Sequence, residues 1–258
     1  MRRRIATIAV LFVIVVLSVS ACSGSPPTPA AAVTPTAPKA PRTTAAWGFT
    51  VSGARPVIVN GSQDTSAQAA GATCDGAQLA ADKRLGNQIV SGFAVGGFTT
   101  AAALLRHFLA GPGTAVDYPA ASPIARLALA SSAFQTVNRQ VQAAVARQLK
   151  AGGTRVELSA GQLPTVEFSD ATSDLYWSFR GTQGLTVTGH GSRKGGRYVG
   201  TLTYVIRDSY GFPVDDTLGG FGPPMRYLQT VCGAPRHAGG AHWFPDSVTV
   251  TVPFDQPA

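Results

Sequence analysis

The richest cluster of groups able to move a proton or hold a charge is Arg207-Asp208-Ser209-Tyr210-Gly211-Phe212, followed by Asp215, Asp216, Arg226 and Tyr227. A carboxylate can act as a base or counter-ion, a phenol can donate, and a guanidinium can clamp an anion. The cluster closes the longest alternating run in the chain, RYVGTLTYVIRD, so it should sit where a strand hands over to a loop, a common place for function. Asp208, Tyr210, Asp216 and Arg226 are therefore the candidate catalytic residues, with Asp215 and His190 as accessories. The same residues also fit a role without chemistry, in which Asp208 caps a turn and Tyr210 and Phe212 plug the sheet end.

Other reactive pairings are poorer. His237 and His242 flank Ala-Gly-Gly-Ala, and two imidazoles could share a metal. No carboxylate or third histidine follows at ligand spacing, so a surface loop and no metal are expected. Neither a Gly-x-Ser-x-Gly elbow nor a Gly-x-x-x-x-Gly-Lys-Ser/Thr phosphate loop occurs. The run GHGSRKGG has the glycines and the lysine without the spacing, and reads as a hairpin turn. No cofactor is expected.

Asp208-Ser209-Tyr210 after its strand is similar to the Asp-x-Tyr motif of colicin M-type toxins. That resemblance implies cleavage of the peptidoglycan lipid precursor, although Gly211 stands where the motif carries another aspartate.

The N-terminus supplies a different chemistry. Met1 is followed by three arginines, then by an uncharged apolar run over residues 5–17 and small residues over 18–21. The run has the length of a signal-peptide core and is short for a bilayer of about 30 Å. Val19-Ser20-Ala21-Cys22 resembles the lipobox of bacterial lipoproteins. The resemblance implies that residues 1–21 are removed and that the Cys22 thiol carries the lipid, palmitate included. Residues 22–46 are nearly all Ser, Pro, Ala, Thr and Gly. They cannot bury enough surface to offset chain entropy, so a disordered tether is expected. The Ala, Gly, Pro, Thr and Arg bias resembles actinobacterial lipoproteins. The localisation this implies is the cell membrane, lipid-anchored on the extracytoplasmic side.

Removing Cys22 from the three cysteines leaves Cys74 and Cys232. In an exported protein an even pair reads as a disulfide. By the chain-entropy model, closing so long a loop contributes roughly 5 kcal/mol. The formal net charge of +8, from 21 Lys+Arg against 13 Asp+Glu, draws in part on the three arginines ahead of the apolar run. No arginine-rich helix or basic-aromatic motif accompanies it, so nucleic acid is not an expected partner.

The elements that must position these groups fall in residues 47–258, read as one domain. WGFTV and PVIVNG suggest two short strands, and residues 77–83 a short helix. Residues 85–105 carry no charge but contain four glycines. They read as a buried strand or loop, then a helix capped by Thr99 or Thr100, with a stripe of Ala101, Leu104, Leu105, Phe108 and Leu109 and a stop at Gly111. His107 lies off that stripe and should be solvated. Residues 122–150 form the clearest helix, with Ser122 as N-cap and Pro123 at the first position. Leu127, Ala130, Phe134, Val137, Val141, Ala144, Val145 and Leu149 make its stripe, and Ser131-Ser132 marks a break. After Thr154 the period becomes two. RVELS, TVEFS, LYWSFRG, LTVTGHG, RYVGTLTYVIRD and SVTVTVPF read as strands, and MRYLQTV as a helical turn. The fold class is α+β, amphipathic helices on an antiparallel meander.

Together these features point first to an envelope lipoprotein with a non-catalytic binding or structural role, its partner a protein, lipid or wall component. The alternatives are an envelope hydrolase built on Asp208 and Tyr210, or a lipid carrier with an apolar cavity.

Overall fold

Alternation of apolar and polar residues from Gly184 onward builds the centre of the molecule. The computed structural model describes residues 45–54, 72–152, 154–212, 219–233 and 239–258, all within the unit Thr43–Ala258. The fold is α+β. Strands β1 (Ala46–Ala54), β2 (Val116–Tyr118), β3 (Gly184–Lys194), β4 (Arg197–Tyr210) and β5 (Phe244–Pro257) form one sheet in the order β1-β3-β4-β5-β2. All neighbours are antiparallel except β2, which runs parallel to β5. The sheet is therefore a meander with one parallel edge. β3 and β4 join through Gly195-Gly196, both at positive φ (54° and 78°), as a two-residue hairpin turn requires. The strand suggested for PVIVNG lies outside the described residues.

Six α-helices accompany the sheet among the described residues: α1 (Gly76–Val95), α2 (Thr99–Ala110), α3 (Pro123–Ala130), α4 (Ser132–Lys150), α5 (Asp174–Phe179) and α6 (Gly222–Thr230). Ser122 Oγ accepts from the Ala125 amide at 3.2 Å and Pro123 opens α3. Ser131 ends α3 and caps α4, its Oγ accepting from Phe134 N at 3.2 Å. That break shifts the phase of the apolar stripe, so Leu127 is exposed while Phe134, Val137, Val141, Val145 and Leu149 are buried. They pack on Leu202, Tyr204, Ile206, Val250 and Phe254 of the sheet. The Tyr198 hydroxyl donates to Leu149 O at 2.8 Å and the Tyr204 hydroxyl to Asn138 Oδ1 at 2.9 Å, fixing α4 across β4.

Five sequence expectations are corrected. The uncharged stretch after Leu85 is helix, not strand or loop, and the short helix at 77–83 is the first part of the 20-residue α1. Gly86 explains the difference. A Cβ there would lie 2.7 Å from Leu109 Cδ2, so this glycine lets α1 and α2 approach instead of breaking the helix. LYWSFRG is α5, begun by Ser173, whose Oγ accepts from Leu175 N at 3.3 Å. RVELS contributes only an isolated bridge, Arg155 to Gly48, and TVEFS stays outside the sheet, with Val166 and Phe168 buried.

The Cys74–Cys232 disulfide joins the chain just before α1 to the chain just after α6. Beside it, the Asp75 amide donates to the Tyr227 hydroxyl at 2.7 Å. These bonds hold α1 and α6 together at one end of a second apolar cluster, built on Leu105, Phe108, Phe212, Leu228 and Phe244. No helix among the described residues is long and apolar enough to cross a membrane.

Candidate functional site

β4 places Tyr198, Leu202, Tyr204, Ile206 and Asp208 on its helix-covered face by strict alternation. Asp208 is thus a buried strand residue, 7% exposed, and not the cap of a turn. Antiparallel register sets Asp246 of β5 directly opposite it. Side chains of directly opposed residues share a face, with Cβ atoms about 5 Å apart. Two carboxyls therefore lie side by side under the helices.

Their surroundings differ. Asp208 accepts from the amides of Ser209, at 2.8 Å, and Gly181, and it lies near the Arg180 guanidinium. Burial nonetheless outweighs these three contacts and pushes its carboxyl up to about 7. Asp246 is 2% exposed, and neither oxygen has a hydrogen-bond partner in another residue among those described. Burial first, then the charge of Asp208, holds its carboxyl well above the ordinary range. Two such neighbours cannot both ionise without large cost, so the pair retains at least one proton near neutrality. Tyr118 of β2 stands on the same side, its phenol pushed up to about 12 by burial and by the charges of Asp246 and Asp174.

A half-open cavity of about 100 Å³ lies over Asp208. Phe93, Tyr176, Trp177, Tyr210, Phe212 and Phe221 wall it. These rings form one continuous chain. Tyr176 to Trp177 is 5.0 Å between centroids, Phe93 to Trp177 5.3 Å, and Trp177 to Phe221 6.5 Å. Phe221 to Phe212 is 6.4 Å and Phe212 to Tyr210 is 6.1 Å. Arg180 lies at the rim, its Nη1 donating to the Tyr176 hydroxyl at 3.0 Å and its Cζ 5.3 Å from that ring's centroid. Gln229 of α6 anchors the wall by accepting from Phe212 N at 3.0 Å.

The structure brings Asp208 and Tyr210 together at this cavity. It does not bring in the rest of the sequence-derived set. Asp215 and Asp216 lie outside the described residues. Arg226, on α6, is not among the residues lining the cavity. His190 pairs with Thr201 on the opposite face of the sheet and is exposed. His107 is not solvated as expected. It is half-buried, 4.5 Å from the Phe244 ring, with Nε2 2.9 Å from Thr114 O. His237 lies outside the described residues, and no group of three potential metal ligands occurs among those described. At Gly211, a Cβ would lie 2.8 Å from Gln229 Oε1, so an aspartate there would push on the side chain that anchors the wall.

Comparison with protein-family models, curated proteins and solved structures finds no match for this chain.

Chemically, the carboxyl pair can hold one proton, accept another, or serve as counter-ion to a cation that enters over Asp208.

Proposed function

We propose that this protein is an envelope lipoprotein, moored to the outer face of the cytoplasmic membrane through lipid on Cys22, whose folded part binds a small amphipathic ligand over Asp208. The observation that carries the binding role is the chain of six rings walling a cavity with a buried carboxyl at its floor. An apolar cavity of roughly 150 Å³ is enough to take up benzene, so about 100 Å³ suits one compact group. A lipid carrier calls for a cavity several-fold larger than the one over Asp208.

The anchor rests on the N-terminal signal and the residues 18–22. One acyl chain binds a bilayer marginally and two or three bind it stably. Cys22→Ser should leave the chain without labelled palmitate and move it from the membrane to the soluble fraction; equal partitioning of both forms would refute the anchor. For the binding role, the mature full-length Cys22→Ser chain is titrated with compact amphipathic probes while the Trp177 indole N–H is followed by NMR. Saturable shifts that vanish in Trp177→Leu are expected, and flat titrations would refute binding.

A second reading has its own support. Asp208 and Asp246 are an acid and a base side by side, as acid–base hydrolysis needs. It ranks lower because Asp246 is not among the residues lining the cavity.

A further inference from the structure

Resting on the binding role just proposed, we infer that the group bound over Asp208 is an organic cation, a compact alkylammonium seated against the faces of Trp177, Phe93 and Phe221 with the Asp208 carboxylate as its counter-ion. Three observations carry this.

The first is the sign of the wall. The aromatic faces are electron-rich, and a cation within about 6 Å of a ring centroid is attracted by the quadrupole. Six linked rings and one carboxyl line the cavity, with Arg180 at its rim, a set that favours an ammonium over a neutral group of the same shape.

The second is a cation already held in this way. Arg180 lies over Tyr176 at 5.3 Å, and its charge acts on Asp208, as the weakest of the three influences that oppose burial. The rim thus already seats one positive group of the chain on a ring face, within the field of the Asp208 carboxyl.

The third is the unmet demand beneath the floor. Asp246 has no hydrogen-bond partner in another residue among those described, and it lies directly across from Asp208 on the same face. The charges acting on the pair are Arg180, from the end of α5, on Asp208 and Asp117, from β2, on Asp246; the Tyr118 phenol of β2 feels the charges of both Asp246 and Asp174. Asp174 is held by the α2 amides and Asp117 by Ser247. Acids outnumber cations in this set, so a pair that keeps a proton when the cavity is unfilled can release it when a positive ligand arrives. The step balances simply. The carboxyl O–H of the pair dissociates, the proton goes to buffer, and the ammonium neutralises the carboxylate; no other bond changes.

The probes are choline and its neutral isostere 3,3-dimethylbutan-1-ol, titrated into the mature Cys22→Ser chain by NMR at pH 5.5 and pH 8. Choline should bind at least ten-fold more tightly than the isostere at pH 8, and at least ten-fold more tightly at pH 8 than at pH 5.5. Near pH 7, a pH-stat should register up to one proton released per choline. Asp208→Asn should remove both the preference and the proton release, while circular dichroism reports an unchanged fold. Trp177→Leu should weaken choline and Trp177→Phe should restore most of the affinity. If the isostere binds as well as choline, or better, the cation inference falls and the binding cavity stands. If neither binds, both fall.

Discussion

Two parts of the same molecule bury carboxylates in opposite ways. At the start of α2, Asp174 is 6% exposed and fully engaged, its oxygens accepting from the amides of Thr100 at 2.8 Å and Ala101 at 2.9 Å, with Ser178 Oγ at 3.3 Å. Between β4 and β5, Asp246 is more deeply buried, and among the described residues its oxygens have neither an amide from a neighbouring element nor a cation acting on them. A buried charge is tolerated when donors surround it, and otherwise the group takes up a proton. Asp174 is thus part of the architecture, a cap supplied to α2 from 74 residues away. The pair at 208 and 246 is a cost the fold bears, and such costs gather where a molecule binds or reacts.

The largest expected effect separates these two regions by pH. In the unfolded chain Asp208 and Asp246 titrate near the ordinary 3.8, whereas in the fold burial pushes Asp208 up to about 7 and holds Asp246 well above the ordinary range. The native state then carries the extra protons. The contribution of the pair is complete below about pH 4; the share of Asp208 is lost as pH rises through about 7, and that of Asp246 falls over the same range. Each extra proton corresponds to a slope of about 1.4 kcal/mol per pH unit. Denaturant midpoints at pH 4.5, 6 and 7.5 should fall in the wild type, and Asp208→Asn/Asp246→Asn should remove most of that fall. A slope that survives in the double variant would place its origin elsewhere.

Asp174→Ala tests the other region and should act in the opposite sense at neutral pH. It leaves two buried amides at the start of α2 without their acceptor, and the loss should be about 2–4 kcal/mol. At pH 7.5, where the unfolded Asp246 is ionised and the fold must still keep its carboxyl protonated, Asp246→Asn should instead stabilise, by about 1 kcal/mol or more. Chemical denaturation of both variants checks the pair of signs. Two destabilisations of equal size would erase the distinction.

How much of this could be read from the chain follows from what is local. The start of α3 at Ser122-Pro123, the break at Ser131, the Gly195-Gly196 turn and the alternation of β4 each depend on neighbouring residues, and all four are visible in the sequence. α1 was hidden because Gly86 and Gly92 read as loop signals, whereas Gly86 marks where Leu109 of a second helix passes. LYWSFRG carries strand-like residues, but Ser173 and Asp174 supply helix-starting oxygens that outweigh propensity. In the site, Asp208 and Tyr210 were legible from the end of a strand. Asp246 was not, because its position depends on a register between β4 and β5 with 33 residues, α6 among them, between the two strands. Aligning VIRD against DSVTV with side chains on one face would be the available signal. The cavity wall was beyond reach, since Phe93 and Trp177 come from the two helices the pattern misassigned.

The smallest effect concerns Arg180, which tells apart a pair governed by burial from one governed by charge. Burial is the largest influence on Asp208, and the guanidinium is the last of the three that oppose it, after the Ser209 and Gly181 amides. Arg180→Gln should therefore raise the Asp208 carboxyl further, by a fraction of a unit, since an exposed cation acts through solvent. Carboxyl-carbon NMR of the wild type and the variant, at low and at 0.5 M salt, measures the change. High salt should reproduce in the wild type most of the shift the substitution causes, and should leave the variant nearly unmoved. A fall in the variant, or a rise of several units, would mean that Arg180 governs the pair and that the low dielectric beneath the helices does not.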